Sequence, residues 1–314
     1  MIKGYSNVAM SRLALGTHLG DATDAVSEQY RDAIVYALQH GITTIDGAIN
    51  YRGMLSEKDE GIAIRKLIES GAMRREDFCI TSKAGLLFGD ITERINPKMY
   101  LENILKPQGI TEKDFYQYDG LYQTLNPAFF EIALEKSLQN LGLETIDIHY
   151  IHIPEISRSR MAEAEFYDKM EKLFCWYEDK VKEGKIRSYG IALEFMGEEP
   201  EEAKWHFELE EIKRRADIAG RGNGSLKYVI FEYNIDCPYA QNTASQTVAG
   251  EKVTLAEACH KLGLETVASM PFAMGDALKN HSVKELLEFA LNGTDHVIVG
   301  SKNVKHIEEV LQYV

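Results

Sequence analysis

Three residue types that could move a proton stand at the ends of successive strand-like runs in this chain, and a tyrosine sits just past the first. Asp46 closes the mostly β-branched run Ile42–Ile45, and Tyr51 follows it by five residues. Phe78–Ser82 ends in Lys83, and Ile146–Ile151 ends in His152 and Pro154. Such apolar, β-branched runs read as short buried strands, and a buried strand seldom ends on a charge unless the charge has a partner or a task. An ordinary tyrosine, with a pKa of about 10, is a poor proton donor at neutral pH. A lysine ammonium beside it stabilises the phenolate and lowers that value. An aspartate keeps the lysine charged and aimed, and a neutral histidine can orient a carbonyl oxygen. Together the four groups can protonate an oxygen as negative charge develops on it. They supply no electrons, so carbonyl reduction would also need a bound hydride donor.

The elements that must position these groups alternate along the whole chain. Leu13–Gly16 reads as a first strand, followed by a helix with Tyr30, Ala33, Ile34, Ala37 and Leu38 on one face. A second helix is expected from Ser56 to Ser70, with Ser56 as N-cap and Asp59 at the capping-box position. The third opens at Asn126–Pro127 and carries Phe130, Ala133, Leu134, Leu138 and Leu141 before Gly142. Further strands are expected at Ile186–Ala192, Tyr228–Tyr233, Glu265–Ser269 and His296–Val299. Helices are expected around Phe166–Val181, Pro200–Ala216, Thr254–Leu262, Ser282–Leu291 and Asn303–Tyr313. Eight strand-then-helix units without a break in composition imply an α/β fold, a closed (β/α)8 TIM barrel forming one domain over residues 1–314. In such a barrel the catalytic groups lie at the C-terminal ends of the strands, where Asp46, Lys83 and His152 stand. Residues 84–126 form a long connection with a short helix near Met99–Leu105, and its aromatics read as loop packing ahead of substrate contact.

Composition narrows the function. The formal net charge of −14 disfavours nonspecific nucleic-acid or anionic-membrane binding, both of which depend on positive charge. The four cysteines, Cys79, Cys175, Cys237 and Cys259, form no C-x-x-C pair, which fits reduced thiols and no metal framework. No apolar run approaches the length of a membrane span and no signal-peptide core opens the chain, so a cytoplasmic protein is expected. Gly220–Gly224 lacks the strand-before, helix-after context of a phosphate loop. His149 falls on the opposite face of its strand from His152 and reads as a hydrogen-bonded wall residue. Arg158 and Arg160 read as solvated, with an acidic substrate as their alternative partner, and Glu198–Glu202 as a solvated acidic face.

The pattern D-x4-Y at Asp46–Tyr51, with I-T-S-K at Ile80–Lys83 and H-x-P at His152–Pro154, resembles the aldo-keto reductase superfamily. The same resemblance runs through Ser11–Thr17, Glu135–His152, Glu183–Ala192, Phe231–Asn234, Pro271–Gly275 and Val299–Val310. It implies Tyr51 as general acid, Asp46 and Lys83 as its tuning pair, and His152 as the group that orients the carbonyl. It also implies a nicotinamide cofactor, NADP(H) first and NAD(H) second, and a small carbonyl substrate. Cofactor contacts would come from Gly16, Thr17, Ala192, Ile230, Ser269, Pro271, Gly300, Ser301, Lys302, His306 and Glu309. The chain departs from the family pattern at Ala192-Leu193 in place of Ser-Asn, at Ile230 in place of Gln, and at Ser269 in place of the stacking Tyr. His306 and Val310 stand where a basic residue and an Asn are usual. These departures keep two further readings open: a non-redox acid/base enzyme working on a hydroxy-carbonyl compound, and a barrel that binds a ligand without turnover. Asp46 and Lys83 alone also read as a structural ion pair at a barrel rim.

Overall fold

The computed structural model describes residues 1–200 and 202–313. Eight parallel strands close on themselves: β1 Leu13–Gly16, β2 Thr44–Asp46, β3 Cys79–Ala84, β4 Ile146–His152, β5 Ile186–Ala192, β6 Leu226–Glu232, β7 Glu265–Ser269 and β8 His296–Gly300. Each pairs with its sequence neighbours, and β8 closes the ring on β1 with Gly16 beside Gly300. The expected TIM barrel is therefore observed. Side chains alternate along each strand between two cores. Ala14, Cys79, Ile148, Tyr150, Ala192, Ile230, Val267 and Ile298 fill the barrel interior. The intervening residues pack outward onto the helices. Because both faces are buried, the strands read as nearly continuous apolar runs.

Each strand except the last delivers the chain to a helix that returns it to the bottom of the barrel. These are α1 Asp24–Gln39, α2 Leu55–Glu69, α3 Pro127–Leu141, α4 Glu163–Lys182, α5 Leu209–Ala219, α6 Leu255–Lys261 and α7 Val283–Gly293, with α8 Val304–Val310 after β8. Their caps follow the sequence in most cases. Thr23, Asn126, Thr254, Ser282 and Asn303 each accept a backbone N–H of the first turn. At the N-terminal end of the strands, buried Asp147 of β4 accepts from Arg75 Nη2 at 2.7 Å and from the N–H groups of Ser6 and Ile80. That knot ties the chain entry to β3 and β4 on the side away from the candidate site.

Several expectations need correction. Ser56 does not cap α2: Met54 occupies that position, and the Ser56 hydroxyl donates to the Thr17 carbonyl at 2.7 Å. Asp59 is taken by two arginines, Arg52 at 2.9 Å and Arg31 at 2.8 Å, instead of a capping box. The fifth helix begins at Leu209 and not near Pro200. Trp205 and Phe207 are fully buried ahead of it, and Trp205 stacks on Phe195 at 4.2 Å and meets Tyr118 edge-on at 4.7 Å. Burying those two rings beneath the loop takes the chain out of helical geometry until Glu208. Strand β6 is shifted toward Leu226, and α8 stops at Val310 with a 3-10 turn over Leu311–Tyr313. Glu201, within the expected acidic face, lies outside the described residues.

The long connection after β3 holds a short helix at Pro97–Tyr100 continued through Leu101–Leu105, and a hairpin pairing Tyr116–Tyr118 with Leu121–Gln123. Phe88, Tyr100 and Phe115 are buried and pack on one another or on Phe129 of α3. A second small hairpin, Gln246–Val248 with Glu251–Val253, lies outside the barrel before α6. His149 is fully buried with its Nδ1 2.8 Å from the Tyr177 hydroxyl on α4, on the outer face of β4 as expected. All four cysteines are free. Among the described residues no helix is long and apolar enough to cross a membrane.

Candidate active site

The strand ends converge on one elongated cavity of about 610 Å³ at the C-terminal mouth of the barrel. At its floor, β2 ends on Asp46 while β3 carries Thr81 and Lys83. Asp46 Oδ2 accepts from Lys83 Nζ at 2.6 Å, and Oδ1 accepts from the Thr81 hydroxyl at 2.7 Å. Lys83 Nζ also donates to the Gly47 carbonyl at 2.8 Å, so its charge is held in place from two sides. The ammonium lies 4.9 Å from the Tyr51 ring centre, over its face, and 5.9 Å from that of Tyr150 beneath. The Tyr51 ring meets that of His152 edge-on at 5.8 Å and that of His18 at 4.6 Å. The four groups that the sequence singled out thus stand together at one end of one cavity.

Tyr51 is positioned by a strained turn. It opens a 3-10 turn, Tyr51–Met54, in which Arg52 and Met54 take positive φ angles of 51° and 72°. Side chains rarely adopt that region, at about 1–3 kcal/mol each, so something must hold the turn. Buried Arg52 does so: its guanidinium donates to Asp59 at 2.9 Å and to the Ser27 hydroxyl at 2.9 Å, and lies over the Tyr30 ring at 4.9 Å. Sequence reasoning missed Arg52. The only available signal was its place next to Tyr51.

The electrostatics differ in one respect from the sequence expectation. Burial pushes the Tyr51 phenol up, and the neighbouring Lys83 charge only partly offsets this. In the protein alone the tyrosine is therefore a protonated donor with a raised pKa, and the lysine's effect is to limit the rise. For Lys83, burial opposes the charge, but Asp46 and Tyr51 outweigh it and hold the ammonium above its ordinary value. His152 is driven well below its usual pKa by burial and by the Lys83 charge, and His18 is lowered by the same two causes in the same order. Both imidazoles are neutral hydrogen-bonding groups near pH 7. Among the described residues, His152 Nδ1 and Asn50 Oδ1 are buried without a hydrogen-bond partner.

Gly16, Ala192, Ile230, Ser269, Pro271, Gly300, Ser301, His306 and Glu309 all line the cavity. Thr17 and Lys302 do not. Thr17 is turned behind the floor, its hydroxyl 2.9 Å from Glu60 and 3.1 Å from the Asp46 carbonyl. Lys302 borders an adjoining surface depression with Asn303 and Lys305, which shares Leu19, Gly300, Ser301 and His306 with the cavity. Neither Arg158 nor Arg160 reaches the cavity; Arg160 donates to the Gln117 carbonyl at 3.0 Å, and Arg158 faces Glu163 at 3.6 Å. Sequence reasoning also missed His18, Asn50 and Glu194, which line the cavity. His18 and Glu194 follow the ends of β1 and β5 by two residues, where Asp46 and His152 drew notice by standing at the ends themselves.

The same cavity is lined by Tyr51, by Ala192, Ile230 and Ser269, and by Ser301, His306 and Glu309. At the seam of β1 and β8 the wall is two bare glycines. A Cβ on Gly16 would lie 2.8 Å from Ile298, and one on Gly300 would lie 3.2 Å from Leu19. Added side chains there would fill the trough. Ala192 and Ile230, by contrast, bring only carbon to the middle of the cavity, with Ser269 the polar side chain there. Among the described residues no cluster of His, Cys, Asp and Glu is arranged to hold a metal ion.

Comparison with known proteins bears on the fold and the family. An aldo-keto reductase from Klebsiella pneumoniae, solved in complex with NADPH, superposes with a TM-score of 0.61 at 18% identity, covering 100% of this chain and 90% of that one. In sequence, the chain is 32% identical over 118 residues to an aldo-keto reductase family 1 member C23-like protein of Equus caballus, covering 38% of this chain and 24% of the relative. It is 27% identical over 191 residues to a D-threo-aldose 1-dehydrogenase of a Pseudomonas species, covering 59% and 51% respectively. The chain thus spans about half or less of the length of these two curated relatives. The model of the aldo/keto reductase family matches residues 12–285, nearly the whole barrel, and the chain belongs to that family.

Proposed function

We propose that this protein reduces the carbonyl group of a small aldehyde or ketone with NAD(P)H, with Tyr51 as the proton donor. The observation that carries the reading is the pairing at the cavity floor. Lys83 is fixed to Asp46 at 2.6 Å and stands 4.9 Å from the Tyr51 ring, with neutral His152 on the other side. A carbonyl oxygen seated among Tyr51, His152 and Lys83 meets two hydrogen-bond donors and one fixed positive charge. Charge developing on that oxygen is stabilised by groups that need no reorganisation. His152 orients the carbonyl through its ring N–H, and Tyr51 gives its proton to the oxygen. Lys83 makes that transfer easier because its charge favours the phenolate left behind. Asp46 keeps Lys83 charged and in place. A nicotinamide, when bound, would supply the hydride. Gly16 and Gly300 leave room for a dinucleotide, and Ser301, His306 and Glu309 offer polar contacts at its far end.

The test is a titration of the purified protein with NADPH and with NADH, followed by tyrosine and tryptophan fluorescence. Saturable micromolar binding of either is expected. With substrate, Tyr51→Phe removes the donated proton and leaves the ring, so kcat should fall by roughly 10²-fold or more with the fold intact. Binding of neither nucleotide by folded protein would overturn the reductase reading. It would turn the same floor into a non-redox acid/base site, the reading that Ala192, Ile230 and Ser269 favour.

A further inference from the structure

The cavity's charges point to a substrate class. Lys83 is the one lysine or arginine among its described lining residues; two of its three N–H donors go to Asp46 and the Gly47 carbonyl, and the Tyr51 hydroxyl faces the third. No cation is left to receive a carboxylate or phosphate on a substrate. Near Tyr51 the wall instead presents one unspent carboxyl, Glu194, just after β5. Its backbone is held firmly. Leu193 N donates to the Ile230 carbonyl at 2.8 Å, Glu194 N donates to the fully buried Glu155 Oε1 at 2.8 Å, and Met196 N reaches the same oxygen at 3.4 Å. Phe195, next along, is clamped between Tyr118 and Trp205.

The Glu194 side chain projects from that pinned backbone into the cavity, half-buried. Among the described residues its oxygens take no hydrogen bond from the chain. Its charge acts on the Tyr51 phenol, which places it within electrostatic reach of the proposed reaction centre. Burial, with the nearby Glu198 charge added, raises its pKa to about 7. A carboxyl so placed is relieved by any donor a ligand brings, and most by a charged one.

Building on the reductase reading, we propose that Glu194 is a specificity-determining residue that selects carbonyl substrates bearing a hydrogen-bond donor, a hydroxyl or an ammonium group, a few atoms from the carbonyl. Substrates with an anion at that position are disfavoured twice, by Glu194 and by the lack of a free cation. Charged hydrogen bonds of this kind separate matched substrates by roughly 10- to 100-fold.

The experiment uses the full chain with NADPH and a matched series: acetone, hydroxyacetone, aminoacetone and pyruvate, then the homologues one carbon longer. In the native protein kcat/KM should be roughly tenfold or more higher for the hydroxyl and ammonium compounds than for the parent ketone, and lowest for the keto acid. Two variants separate the donor types. Glu194→Gln keeps an acceptor but no charge, so the ammonium advantage should fall roughly tenfold while the hydroxyl advantage persists. Glu194→Leu should flatten both. Equal kcat/KM across both series, a preference for the keto acid, or ratios that survive Glu194→Leu would overturn the proposal. So would weaker NADPH binding with unchanged ratios, which would assign Glu194 to the nicotinamide carboxamide. If no ketone is reduced, the reductase reading fails separately, and the Glu194 assignment is read by saturation-transfer NMR with 1-aminopropan-2-ol against propan-2-ol. Selective binding of the amino alcohol that Glu194→Leu abolishes upholds it, and equal signals reject it.

Discussion

Replacing Arg52 by methionine tests whether Tyr51, the proposed proton donor, is held by a buried ion pair it does not touch. Both side chains of the Arg52–Asp59 pair are 1% exposed at 2.9 Å. Removing one partner of a buried pair costs about 3–5 kcal/mol. Here Asp59 keeps Arg31 at 2.8 Å, so the lower figure applies. At about 2.1 cal/mol/K of unfolding entropy per residue, 3 kcal/mol in a chain of 314 residues lowers Tm by about 4–5 °C. A protein of ordinary stability remains folded at 25 °C after such a loss. Activity should suffer more. Without the guanidinium, the left-handed conformations at Arg52 and Met54 have less to hold them, and the turn can relax. A displacement of about 1 Å at Tyr51 is worth up to 10²-fold in rate. The expected result for Arg52→Met is kcat lower by roughly 30- to 100-fold with KM within about threefold, measured beside a thermal melt and a circular dichroism spectrum. A Tm that falls as expected with kcat unchanged would refute the reasoning, because the turn would then be held without the pair.

Two further outcomes follow from buried carboxyls. Glu155 is fully buried and its pKa is raised by burial to about 8, with backbone N–H groups resisting the rise. A carboxyl held protonated in the fold adds stability that is complete below its unfolded pKa of about 4.5 and is lost as pH rises through about 8, at up to about 1.4 kcal/mol per pH unit. Glu155→Gln keeps an acceptor for Glu194 N, so it should match the native Tm at pH 5 and exceed it at pH 8.5; an equal difference at both pH values would sink this account. Asp147→Ala strips the knot at the barrel bottom from Arg75 and two backbone donors. It should cost about 3–5 kcal/mol in denaturant titration with kcat/KM unchanged, and a matching loss of activity in folded protein would show that the bottom of the barrel reaches the site.

The barrel was legible because its signals are local and repeated. Eight apolar runs alternate with amphipathic ones, and the Asn126–Pro127 helix start could be read from residue type alone, whereas Ser56 was misread as a cap. The floor of the site was legible for a related reason: Asp46, Lys83 and His152 are titratable side chains at or beside the C-terminal ends of apolar strands, and those ends of a barrel all face one mouth. Arg52, His18, Asn50 and Glu194 were not legible because nothing in their local sequence sets them apart, and only the closure of the ring brings them to the cavity. The misplaced fifth helix has the same cause. Charged residues at helical spacing over 200–216 say nothing of Phe195 and Tyr118, whose rings draw Trp205 into the loop. The first hairpin was a different failure. Asp119-Gly120, with φ of 43° and 79°, is a strong short-range turn signal that was present in the sequence and outweighed by the length of the loop around it.

The two halves of the mouth are unlike, and this has a consequence for cofactor binding. β2, β3 and β4 end in paired or unspent polar groups, whereas β5 and β6 present Ala192 and Ile230. A nicotinamide on that side gains from buried area, at about 25 cal/mol per Å², but meets few directional partners for its amide. Ile230 is 3% exposed and faces the interior of the barrel, where the family carries Gln. Ile230→Gln places a buried amide there with no partner in the free protein, at a cost of about 1–3 kcal/mol. Bound nucleotide supplies the partner, and ligand that binds only the folded state stabilises it in proportion to the logarithm of its affinity. The variant should therefore melt below the native protein without NADPH and show the larger upward shift in Tm with it. A shift no larger than the native one would mean that the ring does not lie against β6, and that the carbon-lined wall belongs to the substrate instead.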